Sequence, residues 1–175
     1  MVRYLFFSLL ILTCCSSIKN ENGRTRYELN DFSFKPNESI IVYSIIDTSS
    51  FYKLELSEEL IRSRKNRQID LEIIEGLKFY KNNRVAYFRN IKLDSINTFN
   101  PKNAIMGLYQ ISNGNIEFEF IVRNPQSGKY LWNERVINNS KDNNYLKVIV
   151  FNNKDTVKYS KISIPKEFLI YKPDW

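Results

Sequence analysis

At 175 residues with 43% hydrophobic content, the chain is long enough for one domain with its own core and too apolar to be disordered. It has no histidine and only five glycines, which removes the commonest general base and metal ligand and leaves little material for a phosphate-cradling loop. The net charge of +7 comes from dispersed basic residues, the pattern of a solvated basic surface rather than a nucleic-acid stripe.

Arg3 precedes an apolar run, Tyr4 to Leu12, broken only by Ser8. A bilayer-spanning helix needs about 20 apolar residues, and Asn20, Glu21, Asn22 and Arg24 end this stretch well short of that. Length and flanks are those of a secretory signal. The ending Leu12-Thr13-Cys14-Cys15 resembles the bacterial lipobox, in which a branched apolar residue stands three positions before a cysteine that carries a diacylglycerol after cleavage. The resemblance implies lipidation at Cys15, with Leu12 in the branched position, or at Cys14, with Ile11 there. A plain signal peptide with two incidental cysteines, or a buried N-terminal strand, is the bland alternative. Both cysteines of the chain lie here, so the mature domain forms no disulfide of its own. Loss of Arg3 with the signal leaves a charge of +6. The organisation expected is a signal peptide over 1–14, a lipidated tether over 15–30 and a single barrel-like domain over 31–175.

Ile18 to Arg26 is polar and reads as tether. Asp31 to Pro36, with alternating Phe32 and Phe34, predicts a short edge strand ended by proline. Glu38 to Ile46 is β-branched and predicts a strand; Asp47 to Ser50 is a turn, and Phe51 to Leu56 alternates as a half-buried strand does. Ser57 to Arg67 reads as one or two helical turns, capped by Ser57 and charged favourably at both ends, or as a charged loop. Its Arg62, Arg64, Lys65 and Arg67 form either a solvated face or a contact for anionic lipid or lipopolysaccharide.

Hairpin signals then become regular. Leu77–Lys81 and Arg84–Arg89 flank Asn82-Asn83, and Ile105–Ile111 and Asn115–Val122 flank Asn113-Gly114. Tyr130 to Ile137 forms a further strand after the break at Pro125–Gly128. Tyr145–Phe151 and Thr156–Ile164 make a last hairpin around Asn152–Asp155, and the aromatic tail from Pro165 to Trp175 packs back on the domain. About nine short strands in hairpin order, with at most one short helix near 57–65, predict an all-β fold: an antiparallel meander closing into a small lipocalin-like β-barrel, or else a β-sandwich. The stretches Leu77–Val85, Asn100–Tyr109, Asn124–Gly128 and Ile164–Trp175 resemble small lipoproteins of Bacteroidota, flavobacteria especially, over about Ser50 to Trp175. That resemblance implies a cell-envelope address, in the outer membrane, and no particular activity.

Residue types that carry chemistry are few in this chain. No nucleophile elbow, zinc-protease motif or cysteine–histidine pair can exist without the residues, so no catalytic residue, metal or cofactor is assigned. Carboxylate pairs are the one acid–base option left: Glu117 with Glu119, and Asp70 with Glu72 if that stretch is extended, although outward solvation explains both. Tyr80, Tyr87, Tyr109, Tyr130, Trp132 and Tyr145 are candidates to line a barrel mouth and contact a ligand, against ordinary strand packing. The expectation is a non-enzymatic, membrane-anchored lipoprotein that binds a small apolar ligand or an envelope protein and no nucleic acid. The alternative is a filled, purely structural or protein-interaction barrel such as an immunity or assembly accessory, and the remote one a carboxylate-dependent carbohydrate-active enzyme.

Overall fold

The computed structural model describes residues 18–35, 46–113, 115–124, 128–136, 144–150 and 156–174. The lipobox, Cys14 and Cys15 fall outside them, as do the Glu38 strand up to residue 45 and the turn at Asn152–Asp155.

Ten strands run through the described chain. Two short ones, β1 (Ile18–Lys19) and β2 (Thr25–Arg26), form a hairpin of their own. The other eight are β3 (Ser50–Leu54), β4 (Ile74–Tyr80), β5 (Arg84–Ile91), β6 (Ile105–Ser112), β7 (Asn115–Asn124), β8 (Gly128–Val136), β9 (Tyr145–Val150) and β10 (Thr156–Ser163). Each pairs antiparallel with the next, and β10 returns to β3 with Tyr159 opposite Leu54 and Ser163 opposite Ser50. The result is a closed eight-stranded meander, a small lipocalin-like all-β barrel and not a sandwich.

The turns follow from their asparagines. Asn82 and Asn83 adopt φ of 65° and 61° between the paired Tyr80 and Arg84, and Asn113 adopts 50° beside the Ser112–Asn115 pair. Asparagine tolerates this left-handed backbone better than other side-chain-bearing residues. On β5 a bulge, with Asn90 at φ 59°, shifts the register between Ile74↔Ile91 and Gly76↔Phe88. The extra residue returns Ile91 to the outer apolar face beside Phe88.

Period-two alternation sorts the side chains. Tyr52, Leu77, Phe79, Val85, Tyr87, Tyr109, Phe118, Phe120, Val136, Leu146, Val148 and Tyr159 fill the interior cluster. The opposite faces carry a second cluster, in which Phe51, Phe88 and Met106 are covered by the 3-10 turns Ile96–Phe99 and Pro101–Asn103 and by the tail turn Lys166–Ile170. Phe99 bridges them, with ring centres 5.5 Å from Phe51 and 5.1 Å from Phe168.

Helix α1 (Glu58–Asn66) forms between β3 and β4, with the Ser57 hydroxyl accepting from the Leu60 N–H at 3.2 Å. Helix, not loop, is the outcome, because the cap, the acidic first turn and the basic last turn all favour it.

Three expectations need correction. Residues 31–35 form no edge strand: a 3-10 turn at Leu29–Asp31 leads Phe32 onto Leu108 and Ile121 of the outer wall. A barrel closed by β10 and β3 has no edge to extend, and Phe32 gains more by covering apolar surface. The stretch from Ile18 to Arg26 does not behave as free tether, because Arg26 is buried. Its guanidinium donates to Asp174 at 2.7 Å, to the Pro101 carbonyl at 3.0 Å and to the Ala104 carbonyl at 3.2 Å. Asp70 and Glu72 share a turn, where the Glu72 N–H donates to the Asp70 carboxylate at 2.8 Å, and not a strand face.

Candidate functional site

The barrel interior is filled along part of its length by rings meeting edge to face. Phe79 stands 5.5 Å from Tyr52, 5.4 Å from Tyr109 and 6.0 Å from Phe118. The Tyr109 hydroxyl donates to the Tyr80 carbonyl at 2.8 Å, and the Asn83 amide donates to the Tyr109 carbonyl at 3.1 Å, tying the plug to the β4–β5 turn. The ring series continues through Phe120, 5.9 Å from Phe118 and 5.4 Å from Trp132, to Tyr87, 5.2 Å from Trp132.

Beyond those last two rings lies a cavity of about 310 Å³. It occupies the end of the barrel where β3 gives way to α1. Leu54, Val150 and Val157 supply aliphatic wall, and Leu60 and Arg64 of α1 lie over it. The helix is held there by an ion pair: the Arg64 guanidinium meets the Glu75 carboxylate of β4 at 3.2 Å and donates to the Ile73 carbonyl at 3.3 Å. Glu75 also accepts from the Tyr87 hydroxyl. The Arg64 that reads as part of a basic face is therefore turned inward, while Arg62, Lys65 and Arg67 are exposed.

Glu134 is the unusual member. It sits on the inner face of β8, two residues from Trp132, is 1% exposed, and neither carboxylate oxygen has a hydrogen-bond partner. Burial pushes its carboxyl up to about 8, outweighing the neighbouring Trp132 indole N–H, which favours the charged form. Burial, reinforced by the acidic groups nearby, likewise keeps the Tyr87 and Tyr159 hydroxyls protonated well beyond the ordinary tyrosine range.

Of the six candidate aromatics, two line the cavity, Tyr87 and Trp132. Tyr109 belongs to the plug. Tyr80 joins the outer cluster, where the Lys78 ammonium lies 5.4 Å from its ring centre. Tyr145 is exposed at the start of β9, 5.1 Å from the Lys158 ammonium. Tyr130 lies on β8, its side chain outside the described part.

The carboxylates expected outside do face outward, but they are not solvated. Glu117 accepts from Arg135, directly opposite on β8, at 2.8 Å. Glu119 is fully buried beneath the N-terminal segment and accepts from the Ser33 backbone N–H at 2.9 Å and from the Ser33 hydroxyl. The segment 27–35, lying across β7, is what removes Glu119 from water, and Arg135 covers Glu117.

Sequence reasoning missed Glu134, Glu75 and Tyr159. A signal for Glu134 existed: Trp132, Glu134 and Val136 share one face of β8, and an acid in an apolar alternation is out of pattern. No family model, curated protein or solved structure matches the chain.

Proposed function

We propose that the chain is a lipid-anchored envelope protein whose barrel binds a small, largely apolar ligand in the cavity beneath α1 and catalyses no reaction on it. The observation that carries this reading is the half-filled interior: a ring plug at one end, and about 310 Å³ walled by aromatic and aliphatic side chains at the other. Apolar concavities with a few convergent polar groups are where small ligands bind, and an eight-stranded barrel is just wide enough to be filled or to hold one. The non-enzymatic side is supported by Glu117 and Glu119, whose oxygens are engaged by Arg135 and Ser33. Attachment to the envelope is read from the N-terminal lipobox; no helix among the described residues is long and apolar enough to cross a membrane.

Native mass spectrometry of the full chain, extracted gently from its own membranes, tests the reading. The expected result is a small additional mass that denaturation removes. A chain that carries only its own mass, and takes up none of a panel of small apolar compounds, would contradict it. Replacing both Cys14 and Cys15 by alanine is expected to release the protein from membranes; retention would remove the anchor.

A further inference from the structure

Glu134 is a buried polar group that the barrel itself does not use. Folded proteins generally satisfy such groups; alone in an apolar interior a carboxyl keeps its proton, and a cation placed against it lowers the cost of ionising there. Every other charge facing the cavity is already met or stands in solvent. Glu75 of β4 is held by Arg64 of α1 and by the Tyr87 hydroxyl. Arg89, exposed at the end of β5, lies with its guanidinium carbon 5.6 Å from the centre of the Tyr87 ring. Arg67, exposed just past α1, donates to the Ser63 carbonyl at 3.3 Å. Tyr87 and Tyr159 are the remaining titratable groups, both protonated at neutral pH. From β3, β9 and β10 the cavity otherwise receives only Leu54, Val150 and Val157.

We propose, resting on the small-ligand reading above, that the cavity takes a small organic cation: an alkylammonium compound whose charged head lies against Glu134 and the rings of Trp132 and Tyr87, with its alkyl chain along Leu54, Val150 and Val157. The head supplies the partner that Glu134 lacks, and the aromatic rings attract it through their quadrupoles. Shape allows it, since about 310 Å³ equals roughly ten waters' share of liquid volume, enough for a chain of about that many heavy atoms. An anionic ligand would meet Arg67 and Arg89 at the mouth but would be repelled within once Glu134 ionises, above about pH 8. A cation meets its partner where the dielectric is low and leaves those arginines in water, which screens them.

The proposal has a pH signature. Glu134 keeps its proton up to about 8, because burial disfavours the charged form. Attraction for a permanent cation therefore grows as pH rises through that value. The test is calorimetric titration of the full chain, in a non-ionic detergent, with three probes of matched chain length: hexyltrimethylammonium, hexanoate and 1-hexanol. The expected result is that hexyltrimethylammonium binds tightest and that its affinity rises by up to about 30-fold between about pH 6.5 and about pH 9. In Glu134→Gln that rise is expected to vanish. Hexanoate binding tightest, or a cation affinity flat with pH in the unaltered chain, would overturn the proposal; the second reading needs no variant to fold. Hexanol binding without the cation overturns the charge assignment and leaves the small-ligand reading standing. Binding of none of the three overturns both.

Discussion

At one end of the barrel Tyr52, Phe79, Tyr109 and Phe118 close the interior with ring centres 5.4 to 6.0 Å apart, and a tyrosine hydroxyl locks the plug to a turn. At the other, Tyr87, Trp132 and Tyr159 stand around open volume beside a carboxyl group without a partner. Both ends rest on the same alternation of the same eight strands. Their difference lies in what each layer was filled with: the plug spends its aromatics on contact with one another, whereas the cavity end gives up contacts and accepts a buried acid. Ring contact is concentrated in the first layer, and open volume is left in the second.

The largest effect expected from testing this contrast is in the plug. Phe118→Ala removes a fully buried ring from the centre of the series and is expected to cost about 3–5 kcal/mol in denaturant unfolding. A loss below about 1 kcal/mol would mean that this end is as loosely filled as the other. Next comes Gly107, over which the Phe120 ring lies. A Cβ there would stand 2.4 Å from the Glu119 carbonyl oxygen and 2.5 Å from the ring, so Gly107→Ala is expected to cost up to about 3 kcal/mol through overpacking.

The cavity end responds to pH instead. In the unfolded chain the Glu134 carboxyl ionises near 4.5, and in the barrel it holds its proton to about 8. Between those values the folded state binds the extra proton, so its contribution lowers stability as pH rises across that window. Glu134→Gln is expected to remove that decline, a gain of up to about 4 kcal/mol near pH 9 relative to pH 5 when the two proteins' unfolding midpoints are compared. Lys78 acts in a different window. Burial pushes it down from 10.5 to about 8, so above about 8 the unfolded chain binds the extra proton and stability rises with pH. An unchanged profile in the variant would mean that the acid is not held in a dry site.

The smallest effect concerns the helix over the cavity. Ser57→Ala removes the hydroxyl that caps α1 and is expected to cost about 1 kcal/mol, measured by the same unfolding experiment. A loss as large as that at Phe118 would make α1 part of the structural core and not a cover over open volume.

The meander was legible because its signals are local. Asn82-Asn83 and Asn113-Gly114 mark turns on their own, and period two assigns faces within each strand. Closure was legible only as a preference over a sandwich, since the β10–β3 pairing joins residues more than a hundred positions apart. The 31–36 stretch failed for a related reason: alternating Phe32 and Phe34 look the same whether they enter a sheet or cover one. Arg26 reads as tether because nothing in its neighbourhood announces Asp174 and two distant carbonyls. The site divides in the same way. Tyr87 and Trp132 were within reach as strand aromatics, and Glu134 was readable from its place beside Trp132 and Val136. That Arg64 would turn inward to Glu75 depends on where α1 docks, which no pattern within 57–67 records.

The division of the barrel into a sealed layer and a receptive one is tested most directly by nuclear magnetic resonance. The indole N–H of Trp132 and the ring signals of Tyr87, Phe79 and Phe118 would be followed while 1-hexanol is titrated into the full chain. The account predicts saturable shifts at Trp132 and Tyr87, with Phe79 and Phe118 unmoved. Shifts spread evenly over all four rings, or none at Trp132 up to the solubility of the probe, would contradict it.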